Sequence, residues 1–353
     1  MDKIDIKSYN LDELVEFIES IGEKKFRATQ IYKWLHKEHV TAFEQMTDLS
    51  KVLREKLEQM CVISALKPVK VLTSKEDGTK KYLFSLADGN IIESVLMRYH
   101  HGNSVCISTQ VGCRMGCRFC ASTLDGLERN LTPSEMLEEI YGIIRDTNER
   151  VSNIVLMGSG EPLDNFDNVI KFLQLISDGN GENISQRNIT LSTCGLVPMI
   201  KKLADYNMGI TLAISLHAAD DETRKELMPI ANRYKIEEIL DAVRYYFDKT
   251  GRRITFEYSL VGGVNDNEQE AEKLIKLIKG INCHVNLIPV NPIKERDFKE
   301  SKAPAIKKFQ NKLEKCGINV TIRREMGRDI NGACGQLRKS FIDNEILQEK
   351  EGE

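Results

Sequence analysis

Gly112-Cys113-Arg114-Met115-Gly116-Cys117-Arg118-Phe119-Cys120 follows almost directly on the apolar run Val105–Ser108 and packs three cysteines into eight residues, spaced C-x3-C-x2-C. Thiolates this close in sequence can wrap one loop around an iron–sulfur cluster. Zinc is the main competitor. A closed zinc site takes four ligands, usually in two pairs, and no fourth Cys or His stands at short spacing here. Three ligands on a 4Fe–4S cube leave one iron open to chelate a small molecule. Arg114 and Arg118, set between the cysteines, argue against three thiols merely packed in a core.

Downstream of this loop the texture alternates. Short apolar strands are expected at Val105–Ser108, Ile154–Met157, Ile189–Ser192, Thr211–Ser215, Ile254–Tyr258, Val285–Ile288 and Val320–Ile322. Amphipathic helices are expected between them, at Phe166–Ile176, Val197–Leu203, Ile236–Phe247, Glu268–Lys279 and Pro304–Cys316. Thr132-Pro133-Ser134-Glu135 opens a further helix: Thr132 caps, Pro133 takes the first turn and Glu135 closes a capping box. Such alternation implies parallel strands with right-handed crossovers. Periodicity alone leaves a doubly wound sheet and a TIM-type barrel, complete or partial, both open. In either, chemistry belongs at the C-terminal ends of the strands. Gly160-Glu161, Ser192, Ser215 to His217 and Asn291 fall at such ends.

Upstream, helices are expected over Leu11–Ile21, with Asn10 as N-cap, Phe26–Leu35 and Leu53–Met60. The period then shortens to that of strands at Val69–Leu72, Tyr82–Leu86 and Ile91–Met97, with Asp77-Gly78 and Asp88-Gly89 as turns. The expected organisation is an accessory region over residues 1–97, a core over 98–330 and a C-terminal segment over 331–353.

The chain has 353 residues, 41% of them hydrophobic, enough for a large packed core. No long uncharged apolar run stands out, and the acidic start MDKIDIKSYNLDELVEFIES lacks the apolar centre of a signal peptide. A cytoplasmic protein without membrane spans, and a monomer, is the expectation. Clustered cysteines in such a setting suggest metal binding or catalysis rather than disulfides. A net charge of −3 does not advertise nucleic-acid binding, although patches matter more than totals. The pairs Lys24-Lys25, Lys80-Lys81, Arg252-Arg253 and Arg323-Arg324 each read as solvated faces.

Beyond the cysteine loop stand Met157-Gly158-Ser159-Gly160-Glu161-Pro162, Leu191-Ser192-Thr193-Cys194-Gly195, Ile214-Ser215-Leu216-His217 and Asp329-Ile330-Asn331-Gly332-Ala333-Cys334-Gly335-Gln336-Leu337. In this order, from the N-terminal helices to about Phe341, the chain resembles the RNA adenine C2-methyltransferases, radical S-adenosylmethionine (SAM) enzymes that methylate 23S rRNA and tRNA. The resemblance implies a partial (β/α)6 TIM-type barrel. It implies that Cys113, Cys117 and Cys120 hold a 4Fe–4S cluster. SAM, two molecules per turnover, falls to Gly160, Glu161, Ser192, Ser215, Leu216, His217 and Asn291. It also implies a two-cysteine mechanism, because the C2 carbon of adenine is too poor a nucleophile for direct methyl transfer. Cys334 takes a methyl group as S-methylcysteine, a radical derived from a second SAM removes a hydrogen from it, and the resulting methylene radical adds to the ring. Cys106 then attacks the Cys334 sulfur, forming a transient disulfide that reductant resets. Glu93 matches the proton acceptor of the family, though a charge in the run Ile91-Ile92-Glu93-Ser94 equally suits the exposed face of a hairpin.

A flavodoxin- or ferredoxin-type electron donor is the expected partner besides RNA. The target base must be unstacked to reach a buried radical. Lys24, Lys25, Arg27, Lys33 and Lys37 are candidates for phosphate contact. Ser159 departs from many relatives, which often carry Met there, but it stands where the backbone does the work. Cys61, Cys194, Cys283 and Cys316 match no catalytic position and read as structural. Two rivals remain: a sister enzyme methylating C8 of the same rRNA adenine, and an iron–sulfur RNA-binding protein without methyl transfer.

Overall fold

The computed structural model describes residues 3–291 and 297–332. The chain begins with strand β1 (Ile4–Asp5), helices α1 (Leu11–Ser20), α2 (Phe26–His36) and α3 (Lys51–Met60), and strand β2 (Cys61–Val62). Strands β3 (Lys67–Thr73), β4 (Lys80–Ser85), β5 (Ile91–Tyr99) and β6 (Gly102–Ile107) follow as a meander, then a small hairpin, β7 (Gln110–Gly112) with β8 (Leu127–Asn130). From there the order is α4 (Pro133–Thr147), β9 (Val151–Leu156), α5 (Phe166–Ile176), β10 (Ile189–Thr193), α6 (Val197–Asp205), β11 (Thr211–Ser215), α7 (Asp221–Leu227) and α8 (Ile236–Thr250). The remainder is β12 (Ile254–Leu260), α9 (Glu268–Ile278), β13 (Cys283–Pro289), α10 (Ala303–Lys315) and β14 (Asn319–Ile322).

The local signals act as expected. Asn10 caps α1 in a capping box with Glu13, and Thr132 does the same for α4 with Glu135. Among the described residues, ten strands form one sheet in the order β14-β13-β12-β11-β10-β9-β6-β5-β4-β3. The seven from β6 to β14 pair in parallel, the six after β6 each reached by a crossover, as in a partial TIM-type barrel. The hairpin strands β3 to β5 extend this same sheet antiparallel. Residue 97, the expected edge of the accessory region, lies inside β5. At the outer edge β3 is mostly exposed, carries Lys67, Pro68 and Lys70, and its register breaks between Pro68 and Lys70.

Strand parity divides the meander into two faces. Tyr82, Phe84, Ile92, Leu96, Val105 and Ile107 enter the main core. Val95, Met97 and Cys106 point to the other face, where they meet Met326. The N-terminal helices close on α4 through buried polar bonds. Lys7 Nζ lies 2.5 Å from Glu138 Oε1, Arg145 binds the same carboxylate, and Leu66 N–H donates to its second oxygen. Burial opposes charge on Glu138, but Lys7 and Arg145 together hold its carboxyl below the usual range. Nearby, His36 Nδ1 lies 3.1 Å from the Tyr141 hydroxyl. Among the described residues no helix is long and apolar enough to cross a membrane.

Candidate active site

The strand ends converge on a cavity of about 940 Å³, open to solvent, whose walls include Cys113, Cys117 and Cys120. The cysteine loop is fixed through its backbone. Cys113 N–H donates to the Gly126 carbonyl, Arg118 N–H to Leu227, and Cys120 N–H to Cys117. The Thr123 hydroxyl closes the turn on the carbonyls of Cys117 and Cys120. Burial pushes the Cys113 thiol up to about 12, with Cys120, Glu161 and Asp164 adding negative charge around it. Cys117 is raised further by burial and by both other cysteines. Three thiols that repel one another as thiolates suit a cationic occupant that neutralises them. Among the described residues, no three Cys, His, Asp or Glu side chains converge as ligands to one ion.

The segment after β9 passes under the cavity as closely as a backbone can. A Cβ on Gly158 would stand 2.6 Å from the Ile107 carbonyl oxygen. Gly160, at φ +104°, would place one 2.6 Å from Gln110 Cβ. The turn delivers Glu161, whose oxygens accept N–H bonds from Leu163 and Cys194, at 3.1 and 2.8 Å. Burial raises its carboxyl above the ordinary value. The side chains of Thr193 and Cys194 bond to the same carboxylate and help to fix it at the cavity wall.

Of the remaining expected residues, Ser192, Ser215, His217 and Asn291 line the cavity, and the two serine hydroxyls lie 3.3 Å apart. The Leu216 side chain instead enters the apolar core, and its backbone contributes through a carbonyl bond from Arg224. His217 sits at φ +57°, uncommon for a non-glycine residue and held here by several bonds. Its N–H donates to Glu257, its carbonyl accepts from Asn265, and its Nδ1 accepts from Ser259 N–H at 2.9 Å. Burial, then Arg224, lowers the ring to about 3. The imidazole is therefore neutral, with its proton on Nε2.

A second, smaller cavity of about 550 Å³ adjoins the first and shares Met157, Asn291 and Arg323 with it. Cys106 lines this one, together with Met97, Met326 and Gly332. Cys334 lies outside the described residues, two positions beyond Gly332. Glu93 is buried rather than on an exposed hairpin face, and Lys81 Nζ lies 3.0 Å from its Oε1.

Sequence reasoning missed several polar residues here. Glu257, on β12, lines the cavity, accepts from Asn286 Nδ2 at 2.9 Å and has an Oε2 without a hydrogen bond, 3.8 Å from Arg323 Nη1. Burial raises its carboxyl, partly offset by Arg323. Arg224, fully buried, ties the carbonyl of Cys194 to that of Leu216. Cys194, read as structural, borders the cavity beside Glu161. Lys81 and Arg323, read as solvated, face buried carboxylates. Of the candidate RNA cations, Lys24, Lys25, Lys33 and Lys37 are exposed, while Arg27 bonds to Gln30 and to the Asp48 carbonyl.

Comparison with known proteins bears on all of this. Residues 4–63 match the model of the ribosomal RNA large subunit methyltransferase N-terminal domain, and residues 107–278 that of the radical SAM superfamily. A "Probable dual-specificity RNA methyltransferase RlmN" of Lachnospira eligens is 63% identical over 99% of each chain. One of the same description from Lachnoclostridium phytofermentans is 61% identical over 99% of this chain and 98% of its own. The crystal structure of a radical SAM methyltransferase from Sphaerobacter thermophilus superposes with a TM-score of 0.91 at 40% identity, covering 95% of this chain and 99% of that one. With relatives this similar over their whole length, and a matching cysteine-lined cavity at the strand ends, the chain belongs to the RlmN family of dual-specificity RNA methyltransferases, within the radical SAM superfamily.

Proposed function

We propose that this enzyme methylates C2 of adenine in 23S rRNA and in tRNA, in the cytoplasm, by the two-cysteine route. The observation that carries the reading is the pair of adjoining cavities. One is lined by the three cluster-spaced cysteines, and the other by Cys106 and the residue two before Cys334. A binding module for RNA has no need of that second thiol-bearing chamber.

The residues fit the cofactors of the superfamily. Three soft sulfur donors border one end of the larger cavity, and Glu257 offers a buried oxygen with no hydrogen bond of its own. When bound, the cluster and SAM supply the methyl group and a carbon-centred radical. Cys113, Cys117 and Cys120 hold the cluster. The turn at Gly160 and the Glu161 carboxylate seat the amino end of SAM, and Ser192, Ser215, Leu216, Asn291 and neutral His217 orient the rest. Cys334 carries the methyl group, Glu93 accepts the proton lost from the ring carbon, and Cys106 closes on the Cys334 sulfur to free the base. The exposed lysines of the N-terminal helices contact RNA phosphates, residues 98–330 house the chemistry, and residues 331–353 bring in Cys334.

Reconstituted anaerobically with SAM, reductant and unmodified 23S rRNA fragment or tRNA, the enzyme is expected to yield 2-methyladenosine on digestion and mass spectrometry. Replacing Cys334 or Cys113 by Ala should abolish that product. An 8-methyladenosine product would retain the route and overturn the regiochemistry, and absence of any methylated adenine with an intact cluster would overturn both.

A further inference from the structure

The paired-strand register places Lys81 opposite Val95, Val95 opposite Cys106, and Glu93 two residues before Val95. Side chains two apart on a strand share a face. Lys81, Glu93, Val95 and Cys106 therefore stand on one face of the meander, the one that borders the smaller cavity. A lysine there is unusual. Its side chain is 4% exposed and that of Glu93 is 3% exposed. Besides the carboxylate, Lys81 Nζ donates to the Asn331 carbonyl at 3.4 Å. Asn331 ends the turn Arg328–Ile330 and lies three residues before Cys334.

That turn is gripped from several sides by the β3–β4 connection. Gly327 N–H donates to Asp77 Oδ2, and Lys75 N–H donates to Asp329 Oδ2. Gly332 N–H folds back on the Gly327 carbonyl. Lys81 is the member of this set that also touches a candidate catalytic group.

We propose that Lys81 is a positioning residue for methyl transfer, its ammonium joining the Glu93 carboxylate to the backbone that leads into Cys334. The proposal rests on the reading of Glu93 as proton acceptor. In that step the ring C–H bond breaks, its proton forms an O–H bond on Glu93, and the bonding pair stays with the ring. Only an ionised carboxylate can do this, and at such depth a carboxylate keeps its charge through a partner. The same ammonium, bonded to the Asn331 carbonyl, sets the distance between proton acceptor and methyl-carrying segment. One side chain thus registers two groups that are far apart in the sequence and must meet the same base.

Lys81→Met, Lys81→Gln, Lys81→Arg and Glu93→Gln proteins test this, with cluster absorbance and thermal melting as checks on folding. Lys81→Met is expected to keep methylation of Cys334, read by intact mass, yet to lose kcat for RNA methylation by about 100-fold, the scale of one general base. KM for RNA should stay unchanged. Covalent enzyme–RNA adduct should accumulate, as it should in Glu93→Gln. Lys81→Arg, which keeps the charge, should recover part of the rate. In cluster-free protein, amide exchange across residues 325–332 should quicken in Lys81→Met and not in Glu93→Gln. Should Lys81→Met fail to fold, Lys81→Gln carries the same expectations. Undiminished turnover and unchanged exchange in a folded neutral variant would overturn the proposal. Wild-type turnover in Glu93→Gln would instead overturn the role of Glu93, and the exchange result would still decide whether Lys81 anchors the turn.

Discussion

A methyl group on Gly160 would stand 2.6 Å from Gln110 Cβ and 2.8 Å from the Gln110 backbone nitrogen, at a φ that side chains rarely adopt. Neither neighbour is the free end of a flexible chain, so the turn itself must move. Gly160→Ala is expected to cost roughly 1–3 kcal/mol of folding stability and to weaken SAM binding, read by urea titration and equilibrium dialysis. Gly22, also at positive φ but with nothing within 4 Å, is the control, and its alanine variant should bind SAM normally. An undisturbed Gly160→Ala would mean that the turn does not seat the ligand. At this scale the cysteine loop was legible as a unit because its three cysteines are neighbours in sequence, and the fold sets them on one cavity. Glu257 was not, because β12 buries all seven of its residues and shows no alternation to mark the carboxylate. Arg224 was hidden for a similar reason. It stands in the charged run Asp220-Asp221-Glu222-Thr223-Arg224-Lys225, and only the fold reveals that it alone turns inward far enough to be fully buried.

Helix ends were easier to read than helix partners. Asn10 with Glu13, and Thr132 with Glu135, announce α1 and α4 locally. Nothing local announces that Lys7 will enter the face of α4 and meet Glu138, 131 residues away. Removing one member of a buried ion pair strands the other, so Lys7→Met is expected to destabilise the protein by about 3–5 kcal/mol, measured by denaturant midpoint. A change near zero would show that Arg145 alone satisfies Glu138. His36, packed beside the same helix, is pushed down to about 3 by burial and then by Lys7 and His39. Its unfolded value is near 6.5, so between these limits the unfolded chain binds a proton that the folded chain refuses. Stability is therefore full above pH 6.5 and falls as pH drops towards 3. From pH 7 to 5 this one group should remove about 2 kcal/mol, a slope that His36→Phe should flatten.

Across the whole molecule, strand–helix alternation foretold the parallel half of the sheet, and turn chemistry foretold the hairpins. That the two would merge into ten continuous strands depends on β5 pairing with β6 and β6 with β9, contacts that no single stretch encodes. The N-terminal helices are likewise part of the same core, since Ile31, Tyr32 and Leu35 pack into one cluster with Leu137 and Tyr141. Deleting residues 1–63 should therefore expose the outer face of α4 and abolish cooperative melting, rather than leave a trimmed enzyme with weaker RNA affinity. A sharply melting, cluster-loaded truncation would show that the core folds alone.

The irregular, lysine-bearing outer strand β3 has a consequence for how copies of the protein treat one another. A straight apolar edge invites a second molecule to extend the sheet. Here Pro68 withholds a donor, the break in register twists the edge away, and the exposed Lys67 sets a charge at the start of the strand. Among the described residues, the flank where the sheet ends is thus a poor template for a second copy to pair with.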